Sequence, residues 1–304
     1  MIKVFLAKLL SATLRMATPL IFGTLGELFA ERAGILNLGI EGTMLLGSFV
    51  GFATTYHTGS LWLGVLAACL AGVLSGLLMA ILTVWLGVNQ HVSGLGITML
   101  GTGLAYFALR VIFGNPSLPP QIQPFVQLDP LSNIPVIGQI FRQYPMTYIA
   151  ILLIPVVWWV IYRTSFGMNI RAVGENPEAV DAAGLNVFRI RTWALMIGGG
   201  LMGIGGAFMT LCMLGFFTFD LIAGRGWVCI ALIIFGNWNP VRVLWGAIIF
   251  GGVSALQLRL QLTGMRLPYE AFLALPYIVT IIALTIANRD ATYPAALLKP
   301  YVRE

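Results

Sequence analysis

Nine apolar runs leave this chain few ways to fold. They lie at about residues 4–30, 35–55, 61–86, 92–113, 147–163, 192–217, 220–236, 241–257 and 270–287. Each is long enough for about 30 Å of hydrocarbon once tilt or a break is allowed. In lipid every backbone polar group must be paired internally, so runs of this length are expected as helices. The expected fold is an all-α polytopic membrane protein with about nine transmembrane helices (eight to ten), forming a single transmembrane domain over 1–304. Composition agrees: 59% of residues are hydrophobic and only 9% are charged, where soluble domains carry about 25%. The net charge of +6 therefore reads as basic residues at membrane ends among lipid headgroups, and not as a nucleic-acid surface.

Cys69, Cys212 and Cys229 all lie in apolar segments, without CxxC spacing, and read as small buried residues. Two histidines, His57 and His91, and no HExxH pattern give a metal site no support. Lys3, Lys8 and Arg15 punctuate the first apolar stretch, which lacks the short core and small-residue cleavage site of a signal peptide.

Two polar stretches set the topology. Residues 114–146 are rich in Pro, Gln and Asn, carry only Asp129 and Arg142 as charges, and read as an external loop with a short surface helix near 136–141. Residues 164–191 form a polar island flanked by Arg163, Arg171, Arg189 and Arg191, which the positive-inside rule places in the cytoplasm. The island holds a miniature helix with both ends marked. Asn176 is a natural N-cap, Pro177 fits the first helical position, Glu178 suits the positive end of the dipole, and Gly184 suits a left-handed C-cap. Counting crossings outward from the island puts the C-terminus inside and the N-terminus outside. Because Lys3 and Lys8 break the positive-inside trend, an alternative has one early segment re-entrant and the N-terminus inside.

Gly39-Ile40-Glu41-Gly42 through Gly47, then Trp62, Gly64 and Gly72, echoes Gly226 through Gly236, then Trp245, Gly246 and Gly252. Counted this way the halves are oppositely oriented, an inverted repeat as transporters use, or else the ordinary echo of Gly-rich membrane sequence. Gly47 and Gly51, Gly72 and Gly76, and Gly199 and Gly203 are small-xxx-small pairs expected at close helix contacts. Trp158, Trp159 and Trp193 fit an aromatic belt.

No GxxxxGK[ST] pattern, nucleophile elbow or Ser-His-Asp set occurs, so the chain is expected to be non-catalytic, binding no cofactor itself. Glu27, Glu31, Arg32, Asn37 and Glu41 form the most unusual polar cluster, read either as an inner turn with local pairing or as a functional group at membrane depth. Asn89, Gln90, His91 and Ser93 open the fourth span, either capping it or lining a pathway. Thr98, Thr102 and Tyr106 continue one helix face. Phe216, Phe217, Phe219, Arg225 and Trp227 surround a turn near Asp220, as an outer gate or an aromatic belt. Asn37, Asn89, Gln90, His91, Ser93, Thr98, Arg225 and Trp227 are thus the candidate pathway-lining residues.

The stretch Glu31-Arg32-Ala33-Gly34-Ile35-Leu36-Asn37-Leu38-Gly39-Ile40-Glu41-Gly42, preceded by Ala17-Thr18-Pro19-Leu20, resembles permease subunits of bacterial ABC importers for ribose, other simple sugars and nucleosides. So do Gly174-Glu175-Asn176-Pro177-Glu178-Ala179, Ala183-Gly184 and Ala223-Gly224-Arg225-Gly226-Trp227. Branched-chain amino-acid permeases are more distant members. The resemblance implies that the island is a cytoplasmic coupling loop docking on an ATPase, with Glu175, Asn176, Pro177, Glu178, Ala179 and Gly184 as coupling positions. It further implies a second permease subunit (heterodimer, or homodimer), and an ABC ATPase with two nucleotide-binding domains holding ATP and Mg. A periplasmic or lipoprotein substrate-binding protein and a bacterial inner-membrane location follow from the same resemblance. The Glu-Arg-Ala-Gly and Asn-Leu-Gly-Ile-Glu-Gly patterns resemble the nucleoside branch; simple sugars or a vitamin stay open as substrates. Ribose-type members have an extra N-terminal span that has no counterpart before 4–30, in keeping with an external N-terminus. An ion-coupled secondary transporter is the contrasting class, but charges gather at span ends outside the Glu27–Glu41 region.

Overall fold

The computed structural model describes residues 2–114, 119–129, 134, 138–262, 274–279, 281, 282, 285 and 292–301. The regular elements among them are helices: α1 (Ile2–Arg32), α2 (Ile40–Thr58), α3 (Leu61–Ala80), α4 (Gln90–Phe113), α5 (Gly138–Phe141), α6 (Pro145–Arg163), α7 (Ser165–Glu175), α8 (Pro177–Ala182), α9 (Val187–Phe208), α10 (Arg225–Phe235) and α11 (Pro240–Leu262). A π-helical turn extends α3 over Ile81–Trp85, and another extends α9 over Met209–Leu214.

Six helices among the described residues are long and apolar enough to cross a membrane: Leu6–Arg32, Leu61–Trp85, Gln90–Phe113, Pro145–Arg163, Val187–Leu214 and Pro240–Gln261. The expected spans 35–55 and 220–236 differ from this pattern. α2 begins only at Ile40, because the chain turns through left-handed Gly34 (φ 84°) and runs without helix to Leu38. α10 has 11 residues, about 16 Å at 1.5 Å per residue, or half the hydrocarbon thickness. Left-handed backbone at Gly215, Asp220, Ala223 and Gly224 prevents the helix from starting earlier. The expected span 270–287 lies largely outside the described residues, although 274–279 are helical. The short surface helix expected near 136–141 is α5.

α9 is the centre of the bundle and packs against α1, α2 and α3. Its seam is glycine. Gly26 of α1 meets Gly198, Gly47 of α2 meets Gly203, Gly72 of α3 meets Gly199 and Gly203, and Gly206 lies under the carbonyl of Met44. Small residues let helix backbones touch, where dispersion and weak polar contacts replace the absent hydrophobic drive between helices in lipid. The small-xxx-small pairs read from sequence are therefore the contact points themselves. A Cβ at Gly206 would overlap backbone, which cannot swing away. Gly206→Val is expected to cost about 3 kcal/mol or more, seen as a lower melting temperature in detergent. Gly103→Val, on α4 with nothing near its Cβ position, is the neutral comparison. Equal melting of the two variants would count against the seam.

Arg32, Arg163, Arg171, Arg189 and Arg191 gather at one end of the bundle, the basic end, where Arg32 donates to Tyr162 and Arg191 to the carbonyl of Ala33. Residues 119–129 fold over the opposite end. There Ile122 N donates to Gly215 O and Phe125 N to Leu211 O, each at 2.8 Å, and the Phe125 ring lies 5.0 Å from Trp62.

Candidate functional site

Two helices, α2 and the short α10, meet N-terminus to N-terminus inside the bundle. α2 leaves the meeting point toward the end of α4, where Tyr56 packs on Phe113 at 5.0 Å. α10 leaves it toward the basic end, where Trp238 reaches Glu31 and Arg32. Gly226 sits against the backbone of Glu41, with no room for a Cβ. Each helix is preceded by an irregular stretch, 33–39 before α2 and 215–224 before α10. Backbone of this kind is tolerated at membrane depth only where it is buried in protein or lines a water-filled cavity.

The satisfying groups are the polar residues singled out in the sequence. Glu27, wholly buried on α1, accepts from Asn37 N at 2.7 Å. The buried Asn37 side chain accepts from Gly39 N at 2.9 Å, tightening the start of α2. Gln90, also buried, accepts from Leu36 N at 2.8 Å, and Thr98 donates to Leu38 O at 2.9 Å. Three candidate pathway residues, Asn37, Gln90 and Thr98, thus converge on the stretch before α2. On the other side, Arg225 donates to Ile222 O at 2.8 Å and Tyr106 accepts from Asp220 N at 2.8 Å, fixing the stretch before α10. Asn89 caps α4 by accepting from His91 N at 2.9 Å and Val92 N at 3.3 Å. Ser93 is buried, whereas Asn89 and His91 are exposed and line a cavity of about 250 Å³ at the basic end with Thr83, Leu298 and Pro300. Trp227 is partly exposed on α10, away from that cavity. Phe217 is buried against Phe49, and exposed Phe219 packs on Tyr106 at 4.7 Å.

Glu41 closes the junction. Its Oε1 accepts from Gly224 N at 2.8 Å and its Oε2 from Gly226 N at 2.7 Å. Gly224 offers α10 no side-chain cap, so a carboxylate from α2 satisfies two donors at that N-terminus and complements its dipole. This role was not read from the sequence, nor was that of Trp238. The available signals were a carboxylate just inside an apolar run and two glycines bracketing Arg225 at the head of another.

The polar island folds as its residues dictate. Thr164 caps α7 by accepting from Gly167 N at 3.1 Å, and Asn176 caps α8 by accepting from Ala179 N at 3.0 Å. Pro177 occupies the first position of α8. Gly184 is left-handed (φ 84°), donates to Asp181 O at 2.8 Å, and lets Leu185 N reach Val180 O at 3.2 Å. This is the paired closure expected of a Schellman end. Val180 is buried with Val173 and Val187, seating α8 on its neighbours. Glu175, Asn176, Glu178, Ala179 and Gly184 are exposed at the basic end, with Pro177 partly so.

Comparison with known proteins accords with these motifs. Residues 9–284 match the family described as branched-chain amino acid transport system / permease component. The guanosine ABC transporter permease protein NupQ of Bacillus subtilis is 35% identical, covering 98% of this chain and 97% of that one. The nucleoside ABC transporter permease protein NupC of Lactococcus lactis subsp. cremoris is 36% identical over 92% of each. TsgC13 of Haloferax volcanii, named for a glucose ABC transporter, is 39% identical over 99% of each. By motif, fold and match, the chain is a multi-pass membrane protein and belongs to this family of transporter permease components.

Proposed function

We propose that the chain is one of two permease subunits of an ATP-driven importer for a nucleoside or a related small polar solute. The carrying observation is α8, a helix capped at both ends, seated by Val180, and exposed along Glu178 and Ala179 at the basic end. A short helix held this firmly yet left uncovered suits docking by a soluble protein. With no phosphate-binding motif in the sequence, that protein supplies the motor: an ABC ATPase with two nucleotide-binding domains, holding ATP and Mg. The basic end is then cytoplasmic, with the C-terminus, and the N-terminus lies outside a bacterial inner membrane.

At the opposite end a cavity of about 550 Å³ is walled by Lys8, Arg15, Arg142 and Arg259, with Asp129 the one acid among its described lining residues. Basic residues at the outer end run against the usual bias, and their convergence suits a receptor surface for an acidic substrate-binding protein. Nucleoside import is favoured by the names of NupQ and NupC, and a sugar by that of TsgC13.

The test is uptake by proteoliposomes holding both permeases, the ATPase and the binding protein, offered labelled guanosine or glucose. ATP-dependent guanosine uptake supports the proposal, and glucose uptake alone moves the substrate to the sugar class. Solute uptake that persists without ATP and follows an ion gradient would overturn it.

A further inference from the structure

α10 is a rod of three turns between two strained joints. Ala223 (φ 50°) and Gly224 (φ 79°) precede it, and Asn237 (φ 48°) and Trp238 (φ 52°) follow it. Left-handed backbone in a bulky residue such as tryptophan persists only where its surroundings over-determine it.

Those surroundings are specific. The Trp238 indole is buried and donates to Glu31 Oε2 at 2.6 Å. Its carbonyl accepts from Arg32 twice, from Nε at 3.1 Å and Nη2 at 2.8 Å. Asn237 Oδ1 accepts from Thr292 N at 3.1 Å. The joint is therefore gripped by the last turn of α1 and by the segment 292–301.

Both grips lead to the end of α7, just before α8. Gly174 packs against the carbonyl of Arg32 with no space for a Cβ. Its own carbonyl accepts from Ala296 N at 2.8 Å, and the Glu175 carboxylate accepts from Ala295 N at 3.3 Å. Arg32 also donates to Tyr162 at 3.1 Å, and the Arg171 guanidinium of α7 lies 5.1 Å from that ring. Two polar paths thus join the exposed helix to the joint that ends α10, while Glu41 holds the other end of the rod.

We propose that Trp238 is a positioning residue for energy coupling: displacement of α7 and α8 reaches α10 through Arg32 and through segment 292–301, and the Trp238 clamp makes the rod move with them. This rests on reading α8 as the docking element of the ATPase. A residue that only filled space would not depend on the acceptor oxygen that Glu31 offers its indole N–H.

The experiment uses the complete reconstituted complex and measures solute moved per ATP hydrolysed, together with retention of the ATPase. Trp238→Phe keeps an aromatic side chain and removes the N–H together with the five-membered ring that carries it. It is expected to retain the ATPase and its hydrolysis while solute per ATP falls about tenfold, within the range of ordinary coupling energies. Glu31→Ala is expected to match it, and Glu31→Gln, which keeps an acceptor oxygen, to restore the ratio. Should Trp238→Phe fail to accumulate, Asn237→Gly carries the test, since it permits the left-handed backbone and removes only the contact with Thr292. Loss of the ATPase from the unmutated complex overturns the docking reading and this one with it. A retained ATPase with unchanged solute per ATP in these variants overturns this one alone.

Discussion

Glu41→Ala is expected to reduce uptake about 100-fold and to destabilise the folded protein by roughly 2–6 kcal/mol, from one buried and one part-buried donor left without an acceptor at about 1–3 kcal/mol each. The donors are Gly224 N and Gly226 N, which have the two Glu41 oxygens as partners. A surface cap lost to alanine can be replaced by water. Here Gly226 is buried against the Glu41 backbone, so water does not replace the cap at that donor, whereas Gly224 is part-buried. Glu41→Gln is expected to fall between, because its amide offers one acceptor oxygen and turns an N–H₂ toward the remaining donor. Melting in detergent and ATP-driven uptake together read the effect. Wild-type values for Glu41→Ala in both would show that the junction does not depend on this carboxylate.

The junction also explains which features the sequence made visible. The caps of α8 were legible because capping is local: Asn176, Pro177 and Gly184 each answer a need within four residues of themselves. The glycine seam was legible because small residues spaced by four lie on one helix face. α10 was misjudged as a full span because hydropathy counts apolar residues and is blind to backbone sign. Leu221 and Ile222 fall within the expected span 220–236, yet left-handed Asp220, Ala223 and Gly224 keep that stretch irregular. Glu41 looked like a costly charge near a turn, since its partners lie 183 and 185 residues away. The same holds for Trp238, 207 residues from Glu31. Long-range pairing of this kind has no periodic signature.

The architecture joins these pieces into one mechanical argument. α2 and α10 point away from each other from a shared junction, and each is fed by an irregular stretch in which side chains of other helices pair several backbone groups. No continuous helix crosses the junction on either path, since α2 and α10 both begin at it. The sequence echo between Gly39–Gly47 and Gly226–Gly236 falls at these two helix starts.

Glu178→Lys is expected to abolish ATP-driven uptake while leaving the permease inserted and folded. Glu178 is exposed in the first turn of α8, where a cation opposes the helix dipole by about 0.3–1 kcal/mol. That penalty is too small to unfold a protein held by the α9 seam, and Val180 and Asn176 still seat and cap the helix. The larger effect falls on the partner. A charge that faces a complementary surface becomes a repulsion when reversed, and the ATPase is expected to bind about 10- to 100-fold more weakly. Retention of the ATPase on the purified permease, compared at low and high salt, separates this from misfolding. High salt should narrow the difference between variant and wild type, because screening weakens repulsion as it weakens attraction. A basic residue on the ATPase that contacts Glu178, when changed to glutamate, should restore uptake to the lysine variant alone. Undiminished uptake and ATPase binding by Glu178→Lys would remove α8 from the docking face, and with it the route from α7 to the Trp238 joint.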